Sequence, residues 1–182
     1  MSSARVTRKS YAELRNSFIG GLLMENVIMN VIKYILQAYP YKDELSASRL
    51  TKMLYLTDWK AALEHDRQLT NTIWHFHHYG PYVDDFVRMA KDDPDITVIN
   101  TTTVFGGNKQ LFQLSNNASD KFTITPQLKE IVDFVINATK DKNYEDFIKL
   151  VYSTYPVLSS SKYSDLDLVK KAREYKAHRI AQ

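Results

Sequence analysis

Cysteine is absent from the 182 residues of the chain. Its absence excludes disulfide bonds, thiolate metal sites and cysteine nucleophiles. Glycine is scarce as well, and the pair Gly106-Gly107 lies at a hairpin tip by position, so no phosphate-binding glycine loop occurs. The sequence therefore lacks the usual signatures of redox, zinc-thiolate and nucleotide-binding proteins.

No long hydrophobic run is present either. The most apolar stretch, Leu22 to Tyr39, is interrupted by Glu25, Asn26, Asn30 and Lys33, whereas a membrane span needs about 20 largely uncharged residues. The basic start, residues 1–9, is not followed directly by the apolar region of a signal peptide. We therefore expect a cytoplasmic protein with no membrane segment.

The length and the 44% of hydrophobic residues fit one folded domain. Gly20-Gly21 predicts a boundary between a flexible basic arm, residues 1–21, and a single domain over residues 22–182. The net charge is +3, and the basic residues concentrate at the two ends of the chain. Such ends either bind an acidic partner or nucleic acid, or are simply solvated.

Apolar residues at helical spacing predict about six helices. They cover residues 24–39, a stretch capped by Ser46 or Ser48, and residues 81–90, 126–136, 144–152 and 166–177. In the second helix two apolar stripes, which include Leu54 and Trp59, predict burial on most sides. Only four of its side chains are predicted to face water: Lys52, Asp58, Lys60 and Glu64.

Two regions of the sequence have residue patterns typical of β-strands. Residues 72–78 predict a short strand, followed by a turn at Tyr79-Gly80-Pro81. Residues 96–104 and 110–114 predict a β-hairpin, and residues 156–161 a loop. The fold class is thus α+β, mainly α-helical, with the helices around a small antiparallel sheet and a hairpin.

Three histidines, His75, His77 and His78, place two imidazoles on one strand face, which is the first requirement of a metal site. No carboxylate or histidine motif supplies the further ligands. We therefore expect histidines on an edge strand, one of them partly buried, and neither a metal nor a cofactor.

No acid–base pair, serine elbow or nuclease signature is recognisable, so the residues predict no catalytic site. A DNA-binding alternative rests on helices followed by a glycine-tipped hairpin, as in winged-helix proteins. Its candidate recognition helix, residues 81–90, carries Asp84 and Asp85 against Arg88, and the hairpin tip offers only Lys109. Paired aspartates repel phosphates at close range.

Two motifs in a fixed order resemble the Panacea domain family, the SocA-like antitoxins. Lys52, Leu54, Tyr55 and Asp58 match the family's "KLLYYAD"-type helix, and Tyr79-Gly80-Pro81 matches its "YGP" segment. The similarity extends over roughly residues 27–175. It implies a protein without enzymatic activity that neutralises a toxin encoded beside it, in a bacterial or phage toxin–antitoxin pair.

The hypothesis for the partner site is the turn Tyr79-Gly80-Pro81-Tyr82, with His77 and Tyr55 beside it. Glycine permits a backbone path closed to other residues and proline stiffens it, so the turn is ordered before binding. Tyrosines add apolar area together with a hydroxyl. The alternative is a plain strand-to-helix link with inward-facing tyrosines.

The sequence thus leaves three hypotheses for the function. The first is a toxin-neutralising binding module, the second is a DNA-binding regulator of its own operon, and the third is a hydrolase or nuclease with an unrecognised site.

Overall fold

A computed structural model describes residues 27–70, 72–83, 85–103, 106–118 and 122–180. Within these residues the chain has seven α-helices: α1 (27–38), α2 (Ala47–His65), α3 (Asp85–Asp92), α4 (Pro126–Thr139), α5 (Tyr144–Tyr152), α6 (Tyr155–Leu158) and α7 (Leu168–Ile180). It has five strands: β1 (Trp74–His77), β2 (Gly80–Tyr82), β3 (Ile96–Thr102), β4 (Asn108–Leu114) and β5 (Asp165–Leu166). A 3-10 turn, Lys42–Glu44, joins α1 to α2. The predicted α+β class with mainly helical content is confirmed.

Helix α2 is the centre of the molecule. Ser46 is its N-cap and accepts a hydrogen bond from the Arg49 N–H, as one of the two predicted serines was expected to do. Thirteen of its nineteen residues are buried, because α3, α4, α7 and strands β2 and β4 all pack around it. The predicted burial of Leu54 and Trp59 is confirmed.

The predicted exposure of Lys52 and Asp58 is wrong. Both side chains are buried in the described structure, at 2% and 0% exposed. A helical-wheel argument assigns charged residues to water, but α2 is enclosed by other elements on nearly all sides. Glu64 is exposed, as expected, whereas Lys60 is half-buried.

Helices α4 and α5 follow the sequence closely. Thr125 caps α4 and Pro126 begins it, and α5 spans residues 144–152 as predicted. The buried face of α4 comprises Ile131, Val132, Val135, Ile136 and Thr139.

Three other predicted bounds are wrong. Pro81 lies in strand β2 instead of starting a helix, and α3 begins only at Asp85. Residues 156–158 of the predicted loop belong to the short helix α6, which begins at Tyr155. Leu166 belongs to strand β5, so the last helix starts at Leu168.

The described strands form two small antiparallel sheets. One has the strand order β2-β1-β5, and the other is the predicted hairpin of β3 and β4. The hairpin attaches to the start of α2 through a bridge between Ser46 and Leu111. Of its buried side chains, Ile96 and Phe112 pack in the hydrophobic core.

The predictions for residues 1–21, for Gly20-Gly21 and for the start of the first helix at Met24 lie outside the described residues. None of the helices described is long and apolar enough to cross a membrane.

Candidate functional site

Strands β1 and β2 form a tight hairpin whose loop is His78-Tyr79. The antiparallel register places His77 opposite Gly80 and Phe76 opposite Pro81. Gly80 has a φ of +93°, a value that residues with a side chain rarely adopt. The glycine of the motif therefore directs the chain from the two-residue loop into β2.

The two faces of this sheet differ sharply. Trp74 and Phe76 on β1 are buried against the core, whereas His75 and His77 face outward. Strand β1 is the central strand, because β5 pairs with its other edge through Trp74 opposite Leu166. The expected edge-strand position and the expected partly buried histidine are both wrong, since His75, His77 and His78 are all exposed.

We call the exposed aromatic group formed by His77, Tyr82 and Tyr163, together with Tyr79 on the adjoining loop, the aromatic patch. The ring of His77 lies 6.2 Å from that of Tyr82 and 5.9 Å from that of Tyr163. Tyr79 and Tyr163 are 75% and 72% exposed, and Tyr82 is 40% exposed. Tyr163 adopts a φ of +66°, which is uncommon for a residue with a side chain. Its backbone N–H donates to the Phe76 carbonyl at 2.6 Å, which holds it beside β1.

The carboxylate of Asp58 anchors the segment that leads into this hairpin. It accepts hydrogen bonds from the N–H groups of Leu69 and Thr70 at 2.9 and 3.0 Å. It also accepts hydrogen bonds from the Thr70 hydroxyl and from the indole N–H of Trp74, the latter at 2.9 Å. Burial raises the pKa of Asp58 to about 6, although these donors act in the opposite direction. The side chain thus fixes both the 69–70 turn and the first residue of β1.

A comparison with models of known protein families identifies the family of this chain. A family model described as antitoxin SocA-like, Panacea domain, matches residues 50–156, which is more than half of the chain. The chain belongs to this family. Searches of the curated proteins and of the solved structures each found no match.

The matched segment runs from α2 to α6 of the Panacea domain and contains both sequence motifs. The first motif supplies core residues. Tyr55 is fully buried, and its hydroxyl lies 2.7 Å from the Thr154 hydroxyl oxygen. Its ring packs edge-on against Trp74. Tyr55 therefore supports the hairpin from below and is not part of its outer surface.

The second motif is divided between the two faces of the sheet. Tyr79 and Tyr82 point outward, whereas Gly80 and Pro81 are buried. Tyr163 of the aromatic patch lies outside the matched segment, and sequence analysis did not place it in the site. No local pattern could have done so, because Tyr163 reaches β1 only through long-range pairing.

The histidines of the Panacea domain do not converge on a metal-binding group. His75 Nδ1 lies 2.5 Å from a carboxylate oxygen of Asp165, and both side chains are exposed. Across the described ranges, no three histidine, aspartate or glutamate side chains are close enough together to hold a metal ion.

The two basic side chains considered for DNA binding, those of Arg88 and Lys109, make contacts within the protein. The guanidinium of Arg88 lies 2.7 Å from Asp85 in α3. The ammonium of Lys109, at the tip of the β3–β4 hairpin, donates to the backbone oxygen of Asp43. Neither contact favours a phosphate-binding surface.

Replacing Gly80 by alanine is expected to lower the free energy of unfolding by about 1–3 kcal/mol. The positive φ is strained for alanine, and the added Cβ would lie 3.1 Å from Cε2 of Tyr152. Chemical denaturation measures the loss. Gly106→Ala is the matched control, since its φ is +78° but no described atom lies within 4 Å of the added Cβ. Equal losses in the two variants would show that the Tyr152 contact contributes nothing.

Proposed function

We propose that this Panacea-domain protein is an antitoxin that neutralises a toxin protein by direct binding, without catalysis. The toxin is encoded beside it in a bacterial or phage genome, and the pair acts in the cytoplasm. Membership of a family described as antitoxin SocA-like supports the toxin–antitoxin role. The position of the aromatic patch supports binding as the mode of action.

The observation that carries the proposal is the exposure of the patch. Tyr79, Tyr82 and Tyr163 present large rings on the outer face of a sheet whose inner face is fully packed. Clustered exposed aromatic residues are typical of protein interfaces, where tyrosine supplies apolar contact area and a hydroxyl at low entropic cost. The hairpin beneath is held by Asp58 and Gly80, so little order has to be gained on association.

The contact residues in this proposal are His77, Tyr79 and Tyr82, joined by Tyr163. Gly80 and Pro81 shape the hairpin, and Tyr55 supports it from the core. Each role follows from the placement of the side chain, outward for the first group and inward for the second.

Co-expression with the protein encoded by the adjacent reading frame tests the proposal. The parent is expected to restore growth and to co-purify with that protein. Tyr82→Ala is expected to weaken binding by about 30-fold or more, as truncation of a central interface tyrosine does. Its melting temperature should stay close to that of the parent, because the side chain is 40% exposed.

Tyr41→Ala is the matched control. Tyr41 is 49% exposed but lies between α1 and the 3-10 turn, outside the patch. If Tyr82→Ala protects cells as well as Tyr41→Ala does, or fails only because it unfolds, the interface lies elsewhere. A parent protein that neither protects nor co-purifies would contradict the antitoxin role itself.

A further inference from the structure

Lys52 is a buried cation without a counter-ion. Its side chain is 2% exposed, and its ammonium makes one hydrogen bond, 3.2 Å to the hydroxyl of Ser48. No carboxylate of the described residues forms an ion pair with it. Lys33, the other buried lysine of the described chain, holds Asp93 and Asp95 at 3.0 and 2.9 Å. Lys33 thus has two counter-ions, whereas Lys52 has none among the described residues.

The absence of a partner changes the ionisation of Lys52. Burial lowers the pKa of its ammonium to about 8, because the low-dielectric surroundings disfavour the charged form. At neutral pH the group still carries its charge, with two of its three N–H donors unused by the described residues. An isolated buried charge of this kind is costly unless a partner compensates it.

A short chain of polar groups connects Lys52 to the surface. The Ser48 hydroxyl lies 2.8 Å from the hydroxyl of Tyr144, and Tyr144, at the start of α5, is 51% exposed. Ser48 also lies in the first turn of the nineteen-residue helix α2. The N-terminal end of a helix favours an anion through its dipole.

Helix α5 links this polar chain to the β1–β2 hairpin. The hydroxyl of Tyr152 donates to the His78 carbonyl at 3.3 Å, and its ring faces Gly80. Burial raises the pKa of Tyr152, and the nearby Tyr144 raises it further. Tyr144 begins α5 and Tyr152 ends it, so the polar chain and the hairpin contact lie at the two ends of one helix.

We propose that Lys52, Ser48 and Tyr144 receive the carboxylate of an aspartate or glutamate side chain from the toxin. The inference rests on the proposed function and names the chemistry of the partner. At the surface, the carboxylate accepts a hydrogen bond from the Tyr144 hydroxyl. The ammonium of Lys52, on its flexible four-carbon stem, then turns from Ser48 towards it. The acidic side chain supplies the charge that the free protein lacks.

The first test uses no toxin. Lysine is labelled with 13C at Cε, and N-acetyl-glutamate N-methylamide is added to the full chain at constant ionic strength. A saturable NMR shift of Lys52 is expected, with no such shift from the glutamine derivative and weaker binding in Tyr144→Phe. Equal shifts with the two derivatives would overturn the proposal. Saturation by inorganic phosphate but not by the glutamate derivative would also overturn it.

The second test uses Lys52→Met and the protein from the adjacent reading frame. Methionine replaces an uncompensated charge with an apolar side chain of similar size, so the variant should melt at or above the parent's temperature. Its affinity for the toxin should nevertheless fall by about 30-fold or more, as when one partner of a buried charge pair is removed.

Lys33→Met is the matched control and should behave in the opposite way. It removes the ion pairs that Lys33 forms with Asp93 and Asp95, so its stability should fall while its toxin affinity stays unchanged. Unchanged toxin affinity in Lys52→Met, or a loss of stability as large as that of Lys33→Met, would overturn the inference. If the parent binds no toxin, the proposed function fails, and the glutamate titration still decides whether the site takes a carboxylate.

Discussion

Asp58→Asn is expected to lower the free energy of unfolding by about 2–4 kcal/mol. The carboxylate accepts four hydrogen bonds from Leu69, Thr70 and Trp74. An asparagine amide keeps one acceptor oxygen and turns an NH₂ group towards the remaining donors, which then lie buried without an acceptor. Removal of a charge that is itself costly to bury offsets part of this loss. Urea denaturation followed by tryptophan fluorescence measures the change and reports on the surroundings of Trp74.

Asp66→Asn is the control for this prediction. Asp66 lies directly after α2 and binds Arg173 with both carboxylate oxygens, but the pair is exposed. Exposed ion pairs contribute little to stability, and asparagine tolerates the left-handed backbone of this position, where φ is +55°. The Asp66 variant should therefore unfold close to the parent. Similar denaturation midpoints for the Asp58 and Asp66 variants would show that the buried carboxylate does not hold the segment leading into β1.

Leu54→Ala is expected to cost about 2–5 kcal/mol, through lost contacts and the cavity that remains. Leu54 is 1% exposed in the central helix, where elements on several sides prevent the surroundings from collapsing into the space. Leu158→Ala is the control, since Leu158 is 70% exposed at the end of α6, and its loss should stay within about 0.5 kcal/mol. A loss below about 1 kcal/mol for Leu54→Ala would place α2 at the periphery, against the cavity argument.

These two residues also differ in how far the sequence predicts them. The burial of Leu54 follows from apolar spacing along one helix. The burial of Asp58, four positions later, does not, because its partners come from a segment that returns to α2 more than ten residues further on. The helical pattern predicted that Asp58 faces water, but contacts from Leu69, Thr70 and Trp74 enclose it.

The sequence by itself determined the local features of this protein. Ser46 and Thr125 begin helices because their hydroxyls accept free N–H groups, and apolar spacing identifies the central helix and the face of α4. The order of the two motifs identified the family, which the match over residues 50–156 confirms. All these signals lie within a few residues of one another or in a fixed order along the chain.

Tertiary structure decided what depends on distant pairing. Pro81 lies in a strand because it pairs with Phe76. His77 lies on a central strand because β5, almost ninety residues further along the chain, covers the other edge of β1. The same pairing brings Tyr163 beside His77. Lys52 is buried although its charge predicts exposure. The spacing of residues along the chain indicates which of them can form a helix or a strand. Burial and contacts arise only when helices and strands far apart in sequence pack together.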